Sequence, residues 1–517
     1  MSTLSASMSS SSFFTKSSSE KVPTEEQESY TMESLRGYAE KLIAQNSNGS
    51  HENKQQVCVY LAGGGSMAVS TLAATPGASS FLLEGRTTYD RHSYLNACGI
   101  PDKDTKGKGF SYGGEKAAGL AARAALKHAL KLTSMDDDLR RMPLTIGVGC
   151  ASVLVSGEES PSGKGTVVAV ASDGLTLTMN IQMNDRDRSR FEEELVLSHL
   201  VLRAVEQLMN YRETKRIVAT NTEFITSAGD VITEQWESPG SDDASLKMTE
   251  DIDTVVEEAA KRVVELGEDA VVLLPIYDKS KTPVAFRALS QTVLPNRSLV
   301  FPGSFNPVHR GHLALANASV KTLEKHEPYV HPRRHNDKPI FFELSLTNVD
   351  KPSIDPKTVA SRVKKFIDLA SNESGDASFP QQWGIVLTRA PLFEEKLKIL
   401  RSKVLNRLEG PNGSPRINFV IGTDTMVRIL NPKYYRDQSR ENMIQSLLDL
   451  KASGVGFIVG GRLEQGSSSS TPSFVSGQDE LIGLSDEVAS MFIIMDESEF
   501  RVDLSSSQIR KEQAENN

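Results

Sequence analysis

Phe301-Pro302-Gly303-Ser304-Phe305-Asn306-Pro307-Val308-His309-Arg310-Gly311-His312 decides how the C-terminal half of the chain is read. A short apolar strand, 298–302, runs into a turn of glycine, prolines and asparagine. A helix is expected to begin near His312 and to continue through LALANASVKTL. A helix start offers unpaired backbone N–H groups and the positive end of a dipole, which together attract an anion. Gly303 and Gly311 let backbone approach a ligand closely. His309 and His312 are three residues apart and straddle the helix start, so both imidazoles can face one phosphate. Two such donors would stabilise the charge that grows on an α-phosphate when a second phosphate attacks it in line. No side-chain nucleophile is needed. Ser304, Phe305 and Asn306 complete the candidate nucleotide-binding turn.

Outward from this stretch, strands and helices alternate. Strands are expected at 298–302, 384–389, 417–421, 455–460 and 491–495, with helices between them. Such alternation implies an α/β domain over 297–517, with a parallel sheet covered on both faces. The segment 466–477, GSSSSTPSFVSG, reads as a solvated insertion. A second α/β domain is expected over 31–212. It has a helix at 31–46, a strand at 57–62 entering Gly63-Gly64-Gly65 and a helix at 66–74, then a strand at 81–89. An alanine-rich helix follows at 114–132, then strands at 144–151, 165–172 and 175–183 and a charged helix at about 187–212. Between the domains, 213–296 is expected to be a linker with a connecting helix, 251–267, and a strand, 270–277.

At roughly 100–200 residues per domain, 517 residues suit two or three domains. The net charge of -9 and the pI of about 5.7 argue against nucleic acid or a membrane surface as partner, since both are anionic. No apolar run approaches the roughly 18 residues of a membrane span. Cys58, Cys98 and Cys150 form no C-x-x-C pair and are expected as reduced thiols, with no structural metal site. Residues 1–28 are Ser-rich and expected to be a disordered tail. They lack the apolar stretch of a secretory leader, so a cytoplasmic location is expected, with organellar targeting left open.

The motif GSFNPVHRGH resembles the H-x-G-H signature of a nucleotidyltransferase superfamily. That superfamily has a Rossmann-like fold and includes nicotinamide and nicotinate mononucleotide adenylyltransferases and cytidylyltransferases. Its second signature, S-S-T-x-I-R, is matched by Ser505-Ser506-Ser507-Gln508-Ile509-Arg510, with Ser507 keeping the hydroxyl of the usual threonine. The resemblance implies that Ser505, Ser506, Ser507 and Ile509 lie at a nucleotide-binding helix start, and that Arg510 clamps the β- and γ-phosphates. Gly422-Thr423-Asp424 resembles the family's G-x-D at a strand end, which implies nucleotide contacts for Gly422 and Asp424. The segment FELSLTNVDKP, 342–352, resembles the stretch after the family's second strand, where Lys351 would meet substrate phosphate. The S-S-x-I-R form and the absence of an R-T-E-G-I-S-T string favour adenylyl over cytidylyl transfer. The resemblance implies ATP and a phosphorylated small molecule, a pyridine mononucleotide, as partners, with Mg²⁺ accompanying the triphosphate and no fixed metal site. A cytidylyltransferase or another phosphate acceptor is the alternative. A non-catalytic pyridine-nucleotide sensor is the alternative of another class. Assembly as a homo-oligomer is left open.

Residues 57–210 resemble the CinA C-terminal family, whose active members deamidate nicotinamide mononucleotide. The resemblance rests on Thr75-Pro76-Gly77-Ala78-Ser79, Thr88-Tyr89 and Gly165-Thr166-Val167. The family's catalytic string E-S-C-T-G-G falls on Leu61-Ala62-Gly63-Gly64-Gly65-Ser66, without its acid and with Ala62 in place of the serine. Its lysine falls on Tyr94, and its G-x-A-G-P-G-G loop falls near Gly149-Cys150-Ala151-Ser152-Val153. Loss of the attacking hydroxyl implies a non-catalytic domain.

Overall fold

The computed structural model describes residues 30–48, 54–106, 109–133, 144–157, 163–185, 187–214, 221–226, 228–237, 252–278, 282–290, 292–294, 298–326, 339–347, 353–371, 379–380, 382–402, 404–406, 417–464 and 473–501. It is an α/β structure built on two large mixed sheets.

The first sheet has seven strands: β1 (Gln55–Ala62), β2 (Leu82–Thr87), β3 (Leu144–Val153), β4 (Lys164–Ala171), β5 (Thr176–Gln182), β6 (Asn221–Ile225) and β7 (Val231–Glu237). Their order is β2-β1-β3-β4-β5-β7-β6. The β2-β1-β3 part is parallel and the rest antiparallel. The apolar runs VCVYLA and LTIGVGCA sit in the middle of the sheet because both their faces are covered. One face packs on α1 (Met32–Asn48), α2 (Ser66–Ala74) and α5 (Arg190–Thr214). The other packs on α3 (Arg91–Cys98) and α4 (Glu115–Thr133). The alanines of α4 are matched by glycine in β3. A Cβ at Gly149 would stand 2.1 Å from the Ala118 carbonyl oxygen, and one at Gly147 would stand 2.2 Å from the Leu126 nitrogen. Backbone thus packs directly on backbone.

The second sheet has eight strands: β8 (Ala270–Tyr277), β9 (Pro283–Leu289), β11 (Leu299–Pro302), β12 (Ile340–Ser345), β13 (Trp383–Thr388), β15 (Ile417–Gly422), β16 (Val455–Gly460) and β19 (Phe492–Ile494). Their order is β19-β16-β15-β11-β12-β13-β8-β9. The expected parallel sheet is present from β19 to β13 and carries an antiparallel hairpin, β8-β9, on its edge. Two small pairs lie outside it, β10 (Thr292–Leu294) with β14 (Val404–Asn406) and β17 (Arg462–Glu464) with β18 (Ser473–Val475). Part of the segment read as a solvated insertion is therefore strand.

On one face lie α6 (Ile252–Val264), α7 (Arg310–His326) and α8 (Pro356–Ser371). On the other lie α9 (Phe393–Ser402), α10 (Thr423–Ile429), α11 (Arg440–Ala452) and the short α12 (Asp486–Ala489). The chain changes face after β13, and β11 and β15 end up side by side. In such sheets the crevice at the carboxyl ends of the two strands flanking the change is where ligands lodge.

Two boundaries differ from the sequence reading. Within 213–296 the expected helix and strand are present as α6 and β8, but its described residues belong to the sheets: β6 and β7 extend the first, and α6, β8 and β9 belong to the second. The β6-β7 hairpin is half-exposed and polar, so its hydrophobic alternation is weak. It is fixed instead by Asp230, fully buried, which accepts from Arg188 Nη1 at 2.8 Å with both carboxylate oxygens. The FELS residues of the 342–352 segment lie inside β12 rather than after it.

Candidate active site

The loop after β11 is shaped by one aromatic side chain. Phe305 has φ 41° and is 1% exposed, among Phe301, Phe342, Phe366 and His312 at centroid distances of 5.1–5.5 Å. Phe305 was expected among the nucleotide contacts, but its ring is core. Gly303 likewise serves the core: a Cβ there would stand 2.6 Å from Phe305 Cζ. The ring alone already requires glycine at this position. Ser304 is exposed, and its carbonyl accepts from Arg362 Nη1 at 3.2 Å, which puts a cation of α8 beside the loop. Sequence reading missed Arg362, because an arginine in a helix of mixed charge carries no motif. Asn306 is half-buried and precedes Pro307 through a cis peptide bond.

The helix starts at Arg310, slightly earlier than expected, with Gly311 buried in its first turn. The rings of His309 and His312 lie close together at a tilt, with centroids 3.8 Å apart and planes 33° apart. The His309 backbone N–H donates to His312 Nδ1 at 3.2 Å. Burial lowers the pKa of His309. Burial, reinforced by His309, pushes His312 down to about 3. Both rings are therefore neutral near pH 7. Because Nδ1 of His312 accepts, its single ring proton sits on Nε2. The result is a neutral donor of fixed tautomer at a helix start beside the crevice.

His312 titrates near 6.5 when unfolded and near 3 when folded. Its contribution to stability is full above about pH 6.5 and is lost as pH falls toward 3. Between pH 6.5 and 4, urea unfolding of the wild type is expected to become more pH-dependent than that of His312→Gln. Equal pH slopes would show that the ring is not held neutral.

Gly422 ends β15, and a Cβ there would meet nothing within 4 Å among the described residues. Asp424 lies in the first turn of α10 and forms an ion pair with Arg462. The sheet order therefore brings the histidine loop and the Gly422–Asp424 turn to adjacent strand ends. Lys351, Ser505, Ser506, Ser507, Ile509 and Arg510 lie outside the described residues.

In the first domain, Ala62 is the last residue of β1, and Ser66 opens α2. Glu194 of α5 occupies that helix start. Its Oε2 accepts from Gly65 N at 2.9 Å, and its Oε1 accepts from Ser66 N at 2.5 Å and from the Ser66 hydroxyl at 2.7 Å. Gly64 N donates to Ser152 Oγ at 2.7 Å. Tyr94, where the family has lysine, is 1% exposed, and its hydroxyl donates to the Ala117 carbonyl at 2.8 Å. An internal carboxylate thus stands where an anionic ligand would bind. The distance in sequence between Ser66 and Glu194 hides this pairing from any local motif.

No protein-family model matches the chain. A Schizosaccharomyces pombe protein named "Putative nicotinamide mononucleotide adenylyltransferase" is 25% identical over 149 residues. The match covers 28% of this chain and 47% of that protein, so the chain spans about half the length of the curated relative it matches. A solved structure of the competence/damage inducible protein CihA from Agrobacterium tumefaciens is 16% identical. It covers 36% of this chain and 99% of its own, with a TM-score of 0.27. A CinA superfamily protein from Escherichia coli is 16% identical, covers 35% of this chain and 91% of its own, and has a TM-score of 0.25. The chain is similar, over part of its length, to a protein named for nicotinamide mononucleotide adenylyl transfer and, over about a third, to solved CinA-superfamily proteins.

Proposed function

We propose that the chain is an adenylyltransferase that joins nicotinamide or nicotinate mononucleotide to ATP, releasing pyrophosphate, in NAD biosynthesis. The observation that carries this reading is the close His309–His312 pair at the start of α7, one strand from the end of β15. An oxygen of the mononucleotide phosphate attacks the α-phosphorus of ATP. The bond from that phosphorus to the bridging oxygen breaks, and pyrophosphate leaves with the electron pair. The Nε2–H of His312 and the first amides of α7 donate to the non-bridging oxygens as their charge grows. Ser505, Ser506, Ser507, Ile509 and Arg510 hold the triphosphate, and Lys351 meets the acceptor phosphate.

Among the described residues, no three His, Cys, Asp or Glu converge on a metal position. Mg²⁺ would travel with the triphosphate, where it would neutralise charge, and no step is assigned to it. No described helix is long and apolar enough to cross a membrane. The first domain serves assembly, ligand sensing or stability rather than deamidation, a reading supported by Ala62 in place of the nucleophile and by Glu194 bonded to the amides at the start of α2.

The test is a screen of pyrophosphate release by the full chain over ATP, CTP and a panel of phosphorylated acceptors. Release is expected with ATP and a pyridine mononucleotide. Turnover with CTP and an amino-alcohol phosphate would replace this reading with the cytidylyl one. Binding of ATP without release under any pairing would make the chain a sensor.

A further inference from the structure

The loop between β11 and α7 is tied down at several points. Gly303 N donates to the Glu343 carbonyl of β12 at 3.0 Å, while the Glu343 side chain is turned to the α9 face and pairs there with Lys396 at 2.9 Å. The Phe305 ring is held in the core, and the His309 N–H is taken by His312 Nδ1. A further tie comes from outside the loop. Arg362 of α8 donates through Nη1 to the carbonyl of the exposed Ser304 at 3.2 Å. Its neighbours Val363 and Phe366 are buried, and the Phe366 ring lies 5.4 Å from that of Phe305. The helix leads from β12 back to the start of the parallel β13, so it runs away from the carboxyl edge of the sheet. Arg362, one turn ahead of Phe366, is therefore nearer that edge, on the face that carries α7.

What this bond controls is the plane of the Ser304–Phe305 peptide. The peptide is trans, so its carbonyl and its N–H point in opposite directions. Helix α8 packs beside α6 and β9, on the side of β11 away from β15, whereas α7 packs over β11, β15 and β16. The Ser304 carbonyl is drawn toward α8, so the Phe305 N–H is turned toward the β15 side, where the Gly422–Asp424 turn lies. That N–H has no hydrogen-bond partner among the described residues. The φ of 41° at Phe305 lies in the left-handed region, which costs a bulky L residue roughly 1 kcal/mol or more. Turning the plane over would relax that angle and swing a carbonyl oxygen into the crevice. Arg362 opposes the turn, because its donor would then face an N–H.

We propose that Arg362 is a positioning residue for the transfer reaction: by holding the Ser304 carbonyl against α8, it keeps the N–H end of the Ser304–Phe305 peptide dipole toward the phosphates and the carbonyl end away from them. The inference rests on the adenylyltransferase reading above. As one phosphate attacks another, negative charge grows on the non-bridging oxygens, and a dipole already turned to favour it needs no reorganisation at that moment. A flipped plane would set a carbonyl oxygen against the same anions. Arg362 acts at the far end of the peptide and touches no substrate. Its effect therefore falls on turnover more than on the binding of ATP.

The test measures pyrophosphate release by the full chain with ATP and nicotinamide or nicotinate mononucleotide, with urea unfolding of each variant alongside so that turnover is read on folded protein. Arg362→Met keeps an unbranched stem and suits a helix, but it cannot donate. Its kcat is expected to fall by about tenfold or more while the KM for ATP stays within about twofold. Arg362→Lys, whose ammonium can still donate to the carbonyl, should recover to within about threefold of the wild type. If Arg362→Met does not fold, Arg362→Gln, neutral and shorter than arginine, takes its place. A methionine variant with wild-type kcat overturns the proposal. So does a lysine variant as slow as the methionine one, and so does a loss confined to the KM for ATP. Failure of the underlying reading has a different signature: the wild type itself releases no pyrophosphate from ATP with either mononucleotide.

Discussion

His312→Ala is expected to lower turnover at least about a hundredfold while leaving the fold intact. The ring is poised to work as a neutral hydrogen-bond donor. Its Nδ1 is engaged by the His309 backbone, and its pKa is pushed down to about 3, so Nε2 offers a proton across the whole working pH range. Donors aimed at developing charge are worth more in the transition state than in the ground state, so the loss should fall on kcat rather than on the KM for ATP. Single-turnover pyrophosphate release at saturating ATP measures it. A variant that keeps wild-type turnover, with unchanged far-UV circular dichroism, would remove His312 from the reaction.

The second large effect is on stability. Gly149→Val should destabilise the first domain by about 3 kcal/mol or more, because an added side chain meets helix backbone that has no rotamer to move. A Cβ there would lie 2.1 Å from the Ala118 carbonyl and 2.4 Å from the Ala122 nitrogen, so α4 would have to lift off the sheet. Gly37 is the control. It lies in α1, and its Cβ position meets nothing within 4 Å among the described residues, so Gly37→Ala should be neutral or stabilise by up to about 1 kcal/mol. Urea unfolding of the full chain distinguishes the two. If both variants behave alike, the tight α4–β3 contact is not what holds this domain.

The histidine loop was legible because strand, turn, histidine spacing and helix are encoded within twelve consecutive residues. The apolar runs of β1, β3, β8 and β16 were legible for a related reason: a strand buried on both faces shows itself as an unbroken apolar string. What failed was long-range. The hairpin of β6 and β7 has a mixed exposure pattern, and its anchor is the distant Arg188–Asp230 pair. Phe305 looked like part of a binding turn because the sequence does not show that its backbone turns the ring inward. Glu194 lay in no motif, and Glu343 lay in a segment read only for Lys351. Each became informative only when folding set it beside a partner, Ser66 for one and Lys396 for the other.

The hairpin of β8 and β9 on the edge of the second sheet bears on how the chain can be divided. Val272 to Leu273 sit opposite Val386 to Ile385, so a fragment beginning at 297 would strip the cover from β13. That would leave a buried apolar strand with a bare row of N–H and C=O groups, the kind of surface that recruits another chain and ends in aggregates. Dividing the protein just ahead of Ile252 keeps the helix and both covering strands with the sheet they shield.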